Sequence, residues 1–111
     1  MEKLYSLADL EAMSDNDEAF IATMKQIFEE EMLISLGKLN KAFEEKDFNT
    51  IRVTAHTMKP SIDNLHILSI KDDIRALESR ATGNTPMEEL LPLKQKVETV
   101  LLQVFADMRK S

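Results

Sequence analysis

Apolar residues recur at helical spacing along almost the whole chain. The clearest stripe is Ile51, Ala55, Met58, Ile62 and Leu65, whose alternating steps of four and three define one buried seam of a helix, with Asp47 placed to cap its start. Upstream, Phe20, Ile21, Met24, Ile27 and Phe28, then Leu36, Leu39 and Phe43, predict one long helix or two stacked ones ending near Lys46. The stripe drifts between those two groups, so a bend or break is expected between Met32 and Gly37, where Gly37 weakens the helix. Ser14-Asp15-Asn16-Asp17 marks the start of this element.

Downstream, Ser69 with Asp72 predicts a helix start, Ile70, Ile74, Leu77 and Ala81 form its seam, and Gly83 follows its end. Thr85 and Pro86 read as cap and first position of a last helix carrying Leu90, Leu93, Val97, Val100, Val104 and Met108, with Pro92 expected to kink it early or reset its start. At the other end, Ser6 with Asp9 resembles a capping box, and Leu7, Leu10 and Met13 mark one face of a short helix over about residues 6–13. The expected fold is all-α. It is an antiparallel four-helix bundle over about residues 15–109, with the short N-terminal helix packed on one end, in a single domain spanning 1–111.

Composition agrees: of 111 residues, 43% are hydrophobic and 31% charged, with two Gly and three Pro to break helices. A formal charge of −6 argues against a nucleic-acid partner, since such binding rests on cations that neutralise phosphates. The absence of cysteine removes disulfides, thiolate metal sites and thiol nucleophiles. No segment approaches the length of an apolar bilayer span, and the N-terminus lacks a signal-peptide pattern, so a cytoplasmic protein with no membrane association is expected. Met1 and the polar Lys110-Ser111 end lean toward a free-standing chain.

On a helical wheel His56 points about 140° away from the seam of Ile51 to Leu65, into solvent. Lys59, Arg52, Asp63, Asn49 and Pro60 fall at about 80°, 100°, 120°, 160° and 180°, so two cations are expected to flank the ring. Pro60 is the unusual member, because it removes the N–H that would bond the His56 carbonyl, at a cost of about 3 kcal/mol in a helix interior. The helix is expected to bend there and yet continue, since Ile62 and Leu65 keep the seam.

Ala55-His56-Thr57-Met58-Lys59-Pro60-Ser61-Ile62-Asp63-Asn64-Leu65 resembles the signature of histidine-containing phosphotransfer (HPt) domains, A-H-x-L-K-G-S-x-x-x-L-G. Asp17, Phe20, Met24, Phe28, Leu39, Ala42 and Asp47 match the family's spacing more weakly, so the resemblance covers roughly the first two thirds of the chain. It implies that His56 is the phosphoacceptor, that Lys59 supports the phosphoryl group, and that Ser61 and Asn64 occupy positions commonly small or polar around the site. An exposed imidazole with an ordinary pKa near 6.5 would be neutral and nucleophilic at pH 7, and Lys59 and Arg52 would offset the phosphoryl charge. Asn49, Val53, Pro60, Ser61, Asp63 and Asn64 complete the neighbours and docking face, with Val53 and Pro60 as apolar contacts.

The implied partners are receiver domains of a hybrid kinase or response regulator, which carry the aspartate and the Mg²⁺. The chain itself is expected to be a monomer, to hold no cofactor or metal, and to be a carrier, not an enzyme. It contains no Gly-rich phosphate loop or nucleotide signature. Two positions depart from the family, with Pro60 and His66 each standing where Gly is common. Pro adds no long side chain near His56, and His tolerates a positive φ at a helix end better than most residues.

The competing readings are weaker. A metal shared by His56 and His66 is disfavoured because ten helical residues separate them by about 15 Å. Glu29, Glu30 and Glu31, and Asp72 with Asp73, lack the spacing of a calcium loop and read as solvated faces, while the seven Met read as core filler. The main alternative is a helical adaptor that docks on a receiver or kinase without being phosphorylated. An enzyme with a catalytic His ranks third, because no orienting carboxylate is evident from sequence.

Overall fold

The structure is a computed structural model describing residues 4–15 and 17–110; Asn16, part of the expected start signal of the long helix, lies outside the described residues. It contains α1 (Ala8–Ser14), α2 (Glu18–Glu45), α3 (Phe48–Asn64), a 3-10 turn (Leu68–Ile70), α4 (Lys71–Arg80) and α5 (Met87–Lys110), and among the described residues there is no strand. Consecutive helices pack on one another from α2 to α5, and α5 returns against α2, giving a helical bundle.

Two of the expected caps form. The Asp17 carboxylate accepts from the N–H groups of Ala19 and Phe20 at 3.0 and 3.3 Å, and that of Asp47 accepts from the Thr50 N–H at 3.1 Å and the Thr50 hydroxyl at 2.6 Å. Two further signals mislead, and α5 opens at Met87, one residue beyond the Pro86 expected as its first. Leu7 caps α1, with the Ser6 hydroxyl accepting from Ala8 N–H at 3.2 Å, while Asp9 turns away to the His66 ring. Ser69 lies inside the 3-10 turn and α4 is capped by Ile70 without a side-chain bond, because the buried Ile67 and Ile70 dictate the entry.

α2 is one unbroken helix, and the expected break near Met32 to Gly37 is absent. Met32, Ser35, Leu36 and Leu39 are buried in succession, so the apolar contact never lapses; Ile27, assigned to the seam, instead faces outward. Pro92 neither resets nor ends α5, which begins at Met87 and adds buried Leu101 and Phe105 to the expected seam. The seams of α3 and α4 are as expected: Ile51, Ala55, Met58, Ile62 and Leu65, and Ile70, Ile74, Leu77 and Ala81, are all buried.

α3 continues through Pro60 to Asn64 and closes on His66, whose φ of 52° lets the Ile67 N–H reach back to the Ile62 carbonyl at 3.1 Å. The N-terminal segment docks on this end. Ser6 N–H donates to the Leu65 carbonyl at 2.7 Å, Tyr5 and Leu10 are buried, and the His66 ring meets Asp9 at 3.0 Å.

Two stability predictions follow from the helix interiors. A Cβ built on Gly37 meets nothing within 4 Å, so Gly37→Ala should raise the unfolding free energy by about 0.5–1 kcal/mol in a urea titration. Pro60→Ala supplies the missing N–H beneath the His56 carbonyl and should raise it by about 1–2 kcal/mol, net of the proline's stiffening of the unfolded chain. A fall in either variant would show that the native backbone depends on the original residue.

Candidate functional site

Burial of the α3 seam leaves His56 on the outer surface, with 67% of its side chain exposed. The ring is nonetheless held. Its Nδ1 lies 2.5 Å from Glu78 Oε2, and the other oxygen of the same carboxylate lies 2.6 Å from Lys59 Nζ. Glu78 comes from α4, 22 residues along the chain, in the helix half anchored by buried Ile74 and Leu77.

An ionised carboxylate can only accept hydrogen bonds, so this contact places a proton on Nδ1, and in the neutral form of the ring the lone pair is then on Nε2. The Glu78 carboxyl is held below its ordinary value of 4.5, chiefly by the hydrogen bond from Lys59 and then by that from His56. It is therefore ionised at neutral pH, and the result is an exposed nucleophilic nitrogen on a ring whose rotation is fixed from behind.

The expected pair of cations beside His56 is not assembled as the wheel suggested. Lys59 reaches the ring only through Glu78, which neutralises it, and Arg52 turns to the Asn49 side-chain oxygen at 2.8 Å. The Arg52 bond is to a neutral group, so its charge persists one turn from His56. Asp63 is drawn to α4, where it accepts from Arg75 at 2.6 Å, and its carboxyl is held below the ordinary 3.8 mainly by that bond. Val53 is about half exposed at 47% and Pro60 is exposed, on the same outward face as His56. Ser61 and Asn64 lie on the other flank, lining with Leu10, Met24, Ile27 and Glu31 a shallow groove of about 80 Å³ between α3 and the N-terminal half of α2.

Glu78 and Arg75 escaped the sequence reading, which found no carboxylate to orient His56. Both depend on the register between α3 and α4, and no local motif announces it. Among the described residues no cluster of His, Cys, Asp and Glu could hold a metal ion.

The bundle displays two exposed imidazoles, each held through one ring nitrogen by a carboxylate, and that of His56 is the more exposed, at 67% against 43% for His66. The Hpt domain family model matches residues 23–107, from α2 through most of α5 and well beyond the motif around His56. The chain belongs to the Hpt domain family, whose members are phosphocarrier modules of phosphorelays and not independent enzymes. Hpt domains interact with receiver domains of two-component systems. No curated protein and no solved structure matches the chain significantly. No helix among the described residues is long and apolar enough to cross a membrane.

The depressed carboxyls of Asp47, Asp63 and Glu78 fix the sign of the acid response. Each is more acidic folded than unfolded, so its stabilising contribution is complete above the ordinary values of 3.8 and 4.5 and is lost as pH falls through the folded value. Urea unfolding followed by circular dichroism should show stability falling below about pH 4.5, with a shallower fall in Glu78→Gln. A stability that stays flat from pH 5 to pH 3 would show that these pairs contribute nothing.

Proposed function

We propose that this chain is a phosphorelay intermediate in which His56 accepts a phosphoryl group through Nε2 from a receiver-domain aspartate and returns it to another receiver. The observation that carries this reading is the fixed, exposed ring: Nδ1 held at 2.5 Å by Glu78 on a side chain 67% exposed. A receiver supplies the acyl phosphate and the Mg²⁺; this chain supplies the nucleophile and needs no cofactor. Lys59 and Arg52 support the added charge of close to −2, Lys59 by swinging from Glu78 toward the phosphoryl oxygens.

The docking face consists of Asn49, Val53 and Pro60 around the ring, with Asp63 on the α4 side and Ser61 and Asn64 on the α2 side. The short side chain of Pro60 keeps the approach open. The scaffold is a single domain, an antiparallel four-helix bundle of α2 to α5 with α1 at one end, consistent with short connections between helices that pack as neighbours. It acts as a cytoplasmic monomer with no nucleic acid or membrane partner. The alternative, an unphosphorylated adaptor docking through the same face, draws on the engagement of Lys59 by Glu78.

Incubation with phosphorylated receivers should move label onto the chain, and His56→Gln should reduce that transfer at least a hundredfold while leaving the fold intact by circular dichroism. Transfer that persists in His56→Gln would sink the assignment, and an unlabelled chain that still binds the receiver would select the adaptor.

A further inference from the structure

We infer that Glu78 is a positioning residue that sets the charge state of the phosphorylated His56 ring, and thereby the pH range over which the phosphoryl group can be passed on. The inference rests on the proposal that His56 carries the phosphoryl group.

The step is a displacement. The Nε2 lone pair attacks phosphorus, the P–O bond of the acyl phosphate breaks, and its electron pair leaves on the receiver carboxylate. Nδ1 keeps its proton throughout, so forming the N–P bond turns a neutral ring into a cation. Return transfer reverses this: the N–P bond breaks, its electron pair stays on Nε2, and neutral imidazole departs. If Nδ1 has lost its proton, the departing group is an imidazolate, a far poorer leaving group. The charge on Nδ1–H therefore decides whether the bound phosphoryl group is transferable or stored.

The groups facing that proton come from two helices. From α4, Glu78 Oε2 lies 2.5 Å from Nδ1 and favours the cation, while Arg75 is tied to Asp63. On α3 itself, Lys59 and Arg52 disfavour the cation, but Lys59 is bound to the same carboxylate at 2.6 Å and Arg52 is bonded to Asn49. α2 meets α3 on the other flank, where its Glu31 lines the groove beside Ser61 and Asn64. The adjoining 3-10 turn, Leu68-Ser69-Ile70, carries no charge.

Glu78 is thus the anion in contact with Nδ1, and it is only 23% exposed while the ring is 67% exposed. The geometry separates the two nitrogens by role: Nδ1 faces a sheltered carboxylate and Nε2 is left for the partner. A carboxylate at hydrogen-bond distance stabilises the protonated form of a cationic acid, less so where the pair is partly exposed to water.

The test uses the full chain and no protein partner. Phosphoramidate is the phosphoryl donor, and wild type, Glu78→Gln and Glu78→Ala are followed by NMR titration of the phosphohistidine ring and by hydrolysis rate from pH 5 to pH 9. Gln keeps an acceptor oxygen and removes only the charge. Ring deprotonation should move about one unit lower in Glu78→Gln, so that hydrolysis at pH 8 slows about tenfold while the rates converge below pH 6. Glu78→Ala should show the same displaced midpoint. Superimposed midpoints for wild type and Glu78→Gln, with phosphate shown by NMR to be on His56, would overturn the inference. Phosphate uptake confined to His66, or undiminished in His56→Gln, would instead overturn the reading on which it rests.

Discussion

The seam of α3 fixes everything that His56 can do. Ile51, Ala55, Met58 and Ile62 are between 0 and 1% exposed, and Leu65 is 4% exposed, so the helix cannot roll about its axis without returning several of them to water at about 1.5–3 kcal/mol for each large side chain. The direction of His56 is therefore set by residues that never touch it. The same roll places the His56 carbonyl on the solvent side, where water can satisfy an acceptor that Pro60 leaves without its helical N–H. A proline that would be severely disruptive on the buried face is accommodated on the exposed one, and α3 runs on to Asn64.

A second helix then turns an exposed histidine into an oriented one. α4 buries Ile74 and Leu77 and joins Asp63 through Arg75, which holds its register against α3; Glu78 arrives opposite His56 as a consequence. The site is divided between helices, with His56 on one and the carboxylate that orients its ring on another. One carboxylate contacts both His56 and Lys59, so the charges of Glu78 and Lys59 offset each other and Arg52, bonded to neutral Asn49, keeps its positive charge one turn from the ring.

This division explains what could be read from sequence. Periodicity exposed the seams of α3 and α4 because burial imposes spacing on neighbouring positions, and Asp17 and Asp47 were legible as caps because their carboxylates act within three residues. Ser6 and Ser69 carry the same local signal and fail as caps, since buried neighbours at each entry outweigh a single side-chain bond. Asp15 and Lys46 end α1 and α2 with a φ of 55° and no glycine to advertise it, yet the end near Lys46 was legible from the apolar stripe that stops at Phe43 and the Asp47 cap that follows. Glu78 lay beyond local reasoning altogether: its role is a product of register between two helices, and no spacing within one helix encodes it.

The two positions where glycine is common in the family show that one residue type can answer different physical demands. Beside His56 the demand is steric, a surface without a long side chain, and Pro60 meets it despite having the most restricted backbone of any residue. After Leu65 the demand is conformational, a φ of 52° that costs a residue with a Cβ about 1–2 kcal/mol. His66 meets this one by side-chain chemistry instead, since its ring contacts Asp9 while the neighbouring Leu65 carbonyl accepts from Ser6. A strained helix end is thereby made the anchor for the N-terminal segment. Replacing a glycine is tolerable when the new residue satisfies the particular constraint that glycine had been meeting, and the two substitutions in α3 and its end satisfy different ones.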